Sequence, residues 1–186
     1  MSEPNLKLLD HFHNPRNVGT IEDADGYGRA KNPINEYITD IYLKVEDGAI
    51  KDIKFKTLGC TATIASASAM TEAVKGRTID ELINESNPTK KLMEIIDIKL
   101  GGIPENNWHC LPSAVLSLLN AIQNHYEKKG EIKKVKDFEK LIVDIKNYVD
   151  NYINENLNEW KQNRKYDSVV FYLKLVISLI RLLLPK

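Results

Sequence analysis

What most limits the folds open to this chain is an abrupt change of texture at Gly59 and Cys60. Ile53-Lys54-Phe55-Lys56-Thr57 alternates apolar and polar residues, the pattern of a half-buried strand. From Thr61 to Met70 the residues are mostly Ala, Ser and Thr, which read as a helix small enough to pack closely on a sheet. A strand that turns almost directly into a helix leaves Cys60 at the helix start. The first backbone N–H groups of a helix are unpaired and partly positive. A thiol placed there gives up its proton more readily, and thiolate is the form that binds metal or attacks sulfur. The only other cysteine is Cys110, and His109 precedes it at what reads as another helix start. Two cysteines and a histidine so placed are soft metal ligands in a chain with no other obvious chemistry.

Composition narrows the class further. At 186 residues, 42% hydrophobic and 28% charged, the chain is expected to form one globular domain with a real core and an appendage. Lys+Arg and Asp+Glu both number 26, so no net charge points to nucleic acid or an acidic substrate. Lys128-Lys129 and Lys133-Lys134 read as solvated faces. Two cysteines make no disulfide framework, and the first residues lack the charged and apolar regions of a signal peptide. A reducing cytoplasm is the expected location. Val169 to Leu184 is strongly apolar but shorter than the roughly 20 residues of a membrane span. Lys174, Ser178 and Arg181 give it one polar stripe, so a packed helix is expected and no span.

Along the chain, Leu6, Leu8, Leu9 and Phe12 recur at helical spacing until Asn14-Pro15, and residues 14–36 read as loop. His11 and His13 read as loop or capping residues, and His125 as lying on a solvated helix face. Tyr37 to Val45 and Ile50 to Thr57 read as strands joined by an Asp47-Gly48 hairpin turn. A helix from Thr61 to Lys75 ends at Gly76, and Thr78 with Glu81 fits a capping box. Short helices follow to about Leu100. After Gly101-Gly102-Ile103-Pro104, another helix starts near Pro112 and ends at Gly130. From Phe138 to Trp160 apolar residues keep a three-four spacing, and residues 131–186 read as a helical hairpin. The expected class is α+β: a small, mostly antiparallel sheet with helices packed on one face, as a 1–130 domain with a 131–186 extension.

Several short motifs then combine. His13-Asn14-Pro15-Arg16-Asn17-Val18-Gly19, Phe55-Lys56-Thr57-Leu58-Gly59-Cys60, Ala65-Ser66-Ala67-Ser68 before Thr71-Glu72, Lys75-Gly76 and His109-Cys110 occur in one order. With them, residues from about His11 to Tyr126 resemble the IscU/NifU-type iron–sulfur cluster assembly scaffolds. The resemblance implies that Cys60, His109 and Cys110 bind a nascent 2Fe–2S or 4Fe–4S cluster, or zinc. It implies sulfur from a cysteine desulfurase, which Cys60 or Cys110 could accept as a persulfide, and delivery to apo iron–sulfur proteins. Two positions depart from the family pattern Asn-Pro-Val-Cys-Gly-Asp. Asn35 stands at the first ligand cysteine and Tyr37 at the aspartate. The proline-rich chaperone-recognition segment of the IscU branch is also absent before His109, where Ile103-Pro104-Glu105-Asn106-Asn107 looks more like the NifU branch.

Closed zinc sites and iron–sulfur clusters want four ligands, and one chain offers three. A scaffold or carrier, not an enzyme, is the leading expectation, with an exogenous fourth ligand or a homodimer pooling four thiolates. A zinc form with a bound water, served by Glu36 or Glu72 as base, is a second reading. A degenerate family member acting as a binding or regulatory subunit is a third.

Overall fold

The computed structural model describes residues 5–32, 34 and 36–162. The expectations for Asn35 and for the Val169–Leu184 helix lie outside the described residues. The elements run α1 (Leu6–His13), β1 (Gly26–Lys31), β2 (Ile38–Glu46), β3 (Ala49–Leu58), α2 (Thr61–Val74), α3 (Ile79–Ile83), α4 (Pro88–Leu100), a 3-10 turn (Glu105–Asn107), α5 (Cys110–Lys129) and α6 (Ile132–Gln162). Three strands form one antiparallel sheet in the order β1-β2-β3.

The hairpin between β2 and β3 turns on Asp47 at φ 50° and Gly48 at φ 76°. Two consecutive positive φ values match the right-handed twist of the strands, as in a type I′ turn. Ile41, Leu43, Ile53 and Phe55 alternate onto one face and are almost completely buried. The other face carries Tyr27 opposite Tyr42 and Arg29 opposite Asp40. Arg29 grips Asp40 with two N–H donors at 2.6 and 2.9 Å, and the Tyr27 hydroxyl donates to the same carboxylate at 2.8 Å.

β1 lies inside the stretch expected to be loop. Glycine disfavours strands, so Gly26-Tyr27-Gly28 gives no strand signal. Its reason for being here is tertiary. Gly26, Gly28 and Ala30 face inward, and α5 lies on them. A Cβ at Gly28 would stand 2.2 Å from the Ser117 carbonyl oxygen, and one at Gly26 would stand 2.2 Å from that of Ala121. The missing side chains let the helix backbone rest on the strand.

α2 lies at the centre of the helical layer, touching β3, α1, α4 and α5. All its residues from Ala62 to Thr71 are buried except Ile64. The Ala/Ser run is therefore a spacer between close neighbours. The capping box of α3 forms as expected, with both Thr78 and Glu81 hydrogen bonds made.

The chain divides into two compact units, residues 1–147 and 148–186. In the first, Phe138, Ile142 and Ile145 at the beginning of α6 join the main core. Phe138 stacks at 5.7 Å from Tyr126, and Lys134 donates to Asp80 at 2.6 Å. In the second, α6 continues to Gln162. Among the described residues no helix is long and apolar enough to cross a membrane.

Candidate metal centre

Two of the expected ligands meet. Cys60 is the residue before α2, with extended backbone at φ −73°, ψ 173°. Cys110 is the first residue of α5 and is fully buried, while Cys60 is half-buried. Their sulfurs lie 3.8 Å apart and are unbridged. Two thiolates on one tetrahedral ion with bonds of about 2.3 Å stand about 3.8 Å apart. The pair is thus already at the spacing one soft metal ion requires.

Gly59 makes the approach to Cys60 possible. A Cβ there would fall 2.7 Å from Thr63 Cβ and Cγ2, so any side chain would push the strand end away from the first turn of α2. Thr63 itself belongs to the site. Its hydroxyl lies 3.3 Å from Cys60 Sγ and donates to Cys110 Sγ at 3.4 Å. Thr63 was not among the expected ligands. The signal was available: it stands three residues after Cys60 in the helix, hence on the same face.

The two thiols share one proton unequally. The Cys110 S–H beside Cys60, with the backbone N–H groups at the start of α2, brings Cys60 down to about 4. Donation to the Cys60 thiolate, together with burial, pushes Cys110 up. At neutral pH the pair carries one negative charge, held at the start of α2 where backbone N–H groups converge.

His109 is the neighbour of Cys110 in sequence but does not complete a cluster with the two sulfurs. Among the described residues no group of three or more His, Cys, Asp or Glu side chains is gathered to hold an ion. What the fold does with His109 is fasten it. Its carbonyl accepts from Asn32 Nδ2 at 3.0 Å. Asn32 is fully buried, accepts from Ile34 N at 2.9 Å and donates its own N–H to the Tyr37 carbonyl at 2.7 Å. Asn32, with Ile34 and Tyr37 bonded to it, is thereby tied to the start of α5. Trp108 packs against the core.

The two carboxylates weighed as bases are engaged elsewhere. Glu36 pairs with Lys31 at 2.8 Å, and Glu72 with Lys99 at 3.3 Å and His11 at 3.6 Å. Two histidine expectations are corrected. His11 is buried and joined to Ser68 Oγ at 2.9 Å, because α1 lies on α2. His125 is buried too, because α5 presses that part of its surface onto Gly26. Burial holds both imidazoles below the ordinary histidine value, with help from the charges of Arg16 and Lys129 respectively.

Comparison with known proteins agrees with this architecture. Residues 4–132 match the model of the NifU-like N terminal domain. The chain is 45% identical over 131 residues to the iron-sulfur cluster assembly scaffold protein IscU 1 of Archaeoglobus fulgidus, covering 70% of this chain and 82% of that protein. It is 39% identical over 134 residues to the scaffold protein IscU of Aquifex aeolicus, covering 71% and 82%. A crystal structure of a hypothetical protein superposes with a TM-score of 0.52 at 25% identity, covering 63% of this chain and 95% of the other.

Proposed function

The chain belongs to the NifU-like N-terminal domain family, and on that footing we propose that it serves as a scaffold for iron–sulfur cluster assembly whose cargo rests on Cys60 and Cys110, with His109 as the third ligand. The observation that carries the assignment of residues is the sulfur pair, 3.8 Å apart at two helix starts. Cys60 is the entry point: it is half-buried, and its charge is held by the N–H groups at the start of α2. Cys110, fully buried behind it, closes the inner side.

Loading such a site releases the proton the two sulfurs share, since metal ligation takes the thiolate form. In this reading the His109 side chain joins the two sulfurs on loading, since the three are not gathered beforehand among the described residues. The site then lacks one strong ligand, and an open position keeps cargo exchangeable, which suits transfer to apo iron–sulfur proteins. A cysteine desulfurase is the sulfur source in this reading, and a homodimer would supply four thiolates to one cluster. The chemistry is holding and handing over, not turnover of a small substrate.

The spacing of the sulfurs fits a zinc ion equally well, so metal identity is part of the test. Iron, acid-labile sulfide and zinc are measured per protomer after anaerobic reconstitution, with mass by light scattering on the same sample. Iron and sulfide in the parent, lost in Cys60→Ser and Cys110→Ser, support the scaffold. Zinc alone in a monomer favours the zinc form. No metal in any preparation overturns both and leaves the binding-subunit reading.

A further inference from the structure

We infer that Thr63 is a positioning residue of the sulfur pair, its hydroxyl holding Cys60 and Cys110 at the spacing of a single soft metal ion and remaining as hydrogen-bond donor to the metal-bound thiolate of Cys110. The inference rests on the reading of Cys60 and Cys110 as ligands.

Three observations carry it. First, Thr63 is 2% exposed, so its hydroxyl has no recourse to bulk water and must be satisfied inside the protein. Second, its partners are unusual. The buried hydroxyls of Thr71, Ser113 and Ser117 each turn back to the carbonyl three residues earlier, the ordinary behaviour of a helical hydroxyl. The hydroxyl of Thr63 turns instead to two sulfurs, at 3.3 and 3.4 Å. Third, the rotamer is fixed from behind. Gly59 closes on the Thr63 side chain so tightly that a Cβ would lie 2.7 Å from its Cβ and Cγ2 and 3.0 Å from its Oγ1. A β-branched side chain has few χ1 choices in a helix, and the one adopted in this confined space keeps the hydroxyl on the two sulfurs.

The arrangement matters most when an ion is bound. A metal-bound thiolate has lost its proton and is a pure acceptor. Cys60 also stands at the start of α2, where unpaired backbone N–H groups favour a negative charge. Cys110 is completely buried, and the donor the structure aims at it from a neighbouring side chain is the Thr63 hydroxyl. Partners of this kind, one step out from the ligands, orient them and set the affinity of the site.

The test uses the full chain, reduced and metal-free, titrated anaerobically with cobalt(II). Affinity is read by competition with a chelator, and the thiolate-to-cobalt charge-transfer absorption reports the ligand field. Thr63→Val keeps the shape and removes the donor, so affinity should fall about 10- to 100-fold and the band should shift. Thr63→Ser restores the donor and should return affinity to within about threefold of the parent, with the parent band. A purely packing role would spare Val and penalise Ser. Thermal melts of the metal-free proteins check folding, and Thr63→Ala replaces Val in the comparison if Val does not fold. Thr63→Val with parent affinity and an unshifted band overturns the inference. If Cys60→Ser and Cys110→Ser lose cobalt while Thr63→Val does not, only the role of Thr63 fails. If the cysteine variants bind cobalt like the parent, the ligand assignment fails first.

Discussion

Alanine at Gly28 should be among the most damaging single changes outside the sulfur site. The added Cβ would lie 2.2 Å from the Ser117 carbonyl oxygen, 2.3 Å from Ala121 N and 2.9 Å from Ala121 Cα. Carbon atoms in good contact stand about 3.5 Å or more apart, so α5 would have to retreat from β1 by more than about 1 Å. All three opposing atoms are backbone, and no rotamer change relieves them. The retreat would open the face of α5 that buries Ser117, Leu118, Ala121 and Ile122. Overpacking a core costs typically about 1–3 kcal/mol, and a clash of backbone with backbone puts Gly28→Ala near about 3 kcal/mol. With a urea m-value of about 2 kcal/mol/M, the unfolding midpoint should drop by about 1.5 M. The assay is urea unfolding followed by far-UV circular dichroism. Gly130→Ala is the control, since Gly130 has φ 71° and nothing within 4 Å of its would-be Cβ. It should lose only the backbone strain of a left-handed alanine, about 1–2 kcal/mol. If Gly28→Ala proved no worse than Gly130→Ala, α5 would not lie on β1 at glycine distance, and the account of β1 would be wrong.

Alkylation of the reduced, metal-free protein with iodoacetamide should show Cys60 reacting at a rate nearly flat over about pH 6–9, because its thiol titrates at about 4. In Cys110→Ala the S–H donor is gone and the midpoint should climb toward the ordinary thiol value of about 8.5; a midpoint already there in the parent would falsify the shared-proton pair. Folding stability should depend on His11 and His125, whose folded values are depressed below 6.5 by burial first and then by the charges of Arg16 and Lys129 respectively. The unfolded chain binds those protons more readily, so stability is fully present above about pH 6.5 and falls as pH drops through the folded values. Urea midpoints should therefore decline from about pH 8 to about pH 5, and less steeply in His11→Gln. An equally steep decline in that variant would count against His11.

The legible part of this fold was local. Alternation in β2 and β3, the Asp47-Gly48 turn, the capping box at Thr78 and the strand-to-helix switch at Cys60 are each written in neighbouring residues, and each stands where expected. What escaped was set by partners distant in sequence. β1 has no strand signal of its own; it exists because its glycines admit α5, about 90 residues downstream in the chain. The burial of His11 and His125 follows from helix docking, which a helical spacing count does not report. Of the site, Cys60, His109 and Cys110 were expected together from the family resemblance and from their places at helix starts, and the structure brings the two sulfurs together without gathering the three. The hydroxyl between the sulfurs was not expected, because threonine in a helix ordinarily bonds its own backbone.

The packing of Phe138, Ile142 and Ile145 into the core bears on how much of the chain the fold depends on. The region matched by the family model ends at residue 132, just where α6 begins. Yet these three side chains are at most 7% exposed. Burying each is worth about 1.5–3 kcal/mol, a sum comparable with the roughly 5–15 kcal/mol net stability of a whole domain. The beginning of α6 is therefore part of the core on which the domain's stability draws, and not a detachable appendage. Without these side chains the Tyr126 ring, which Phe138 covers at 5.7 Å, would face water as new apolar surface, and such a truncated chain would be prone to associate through it.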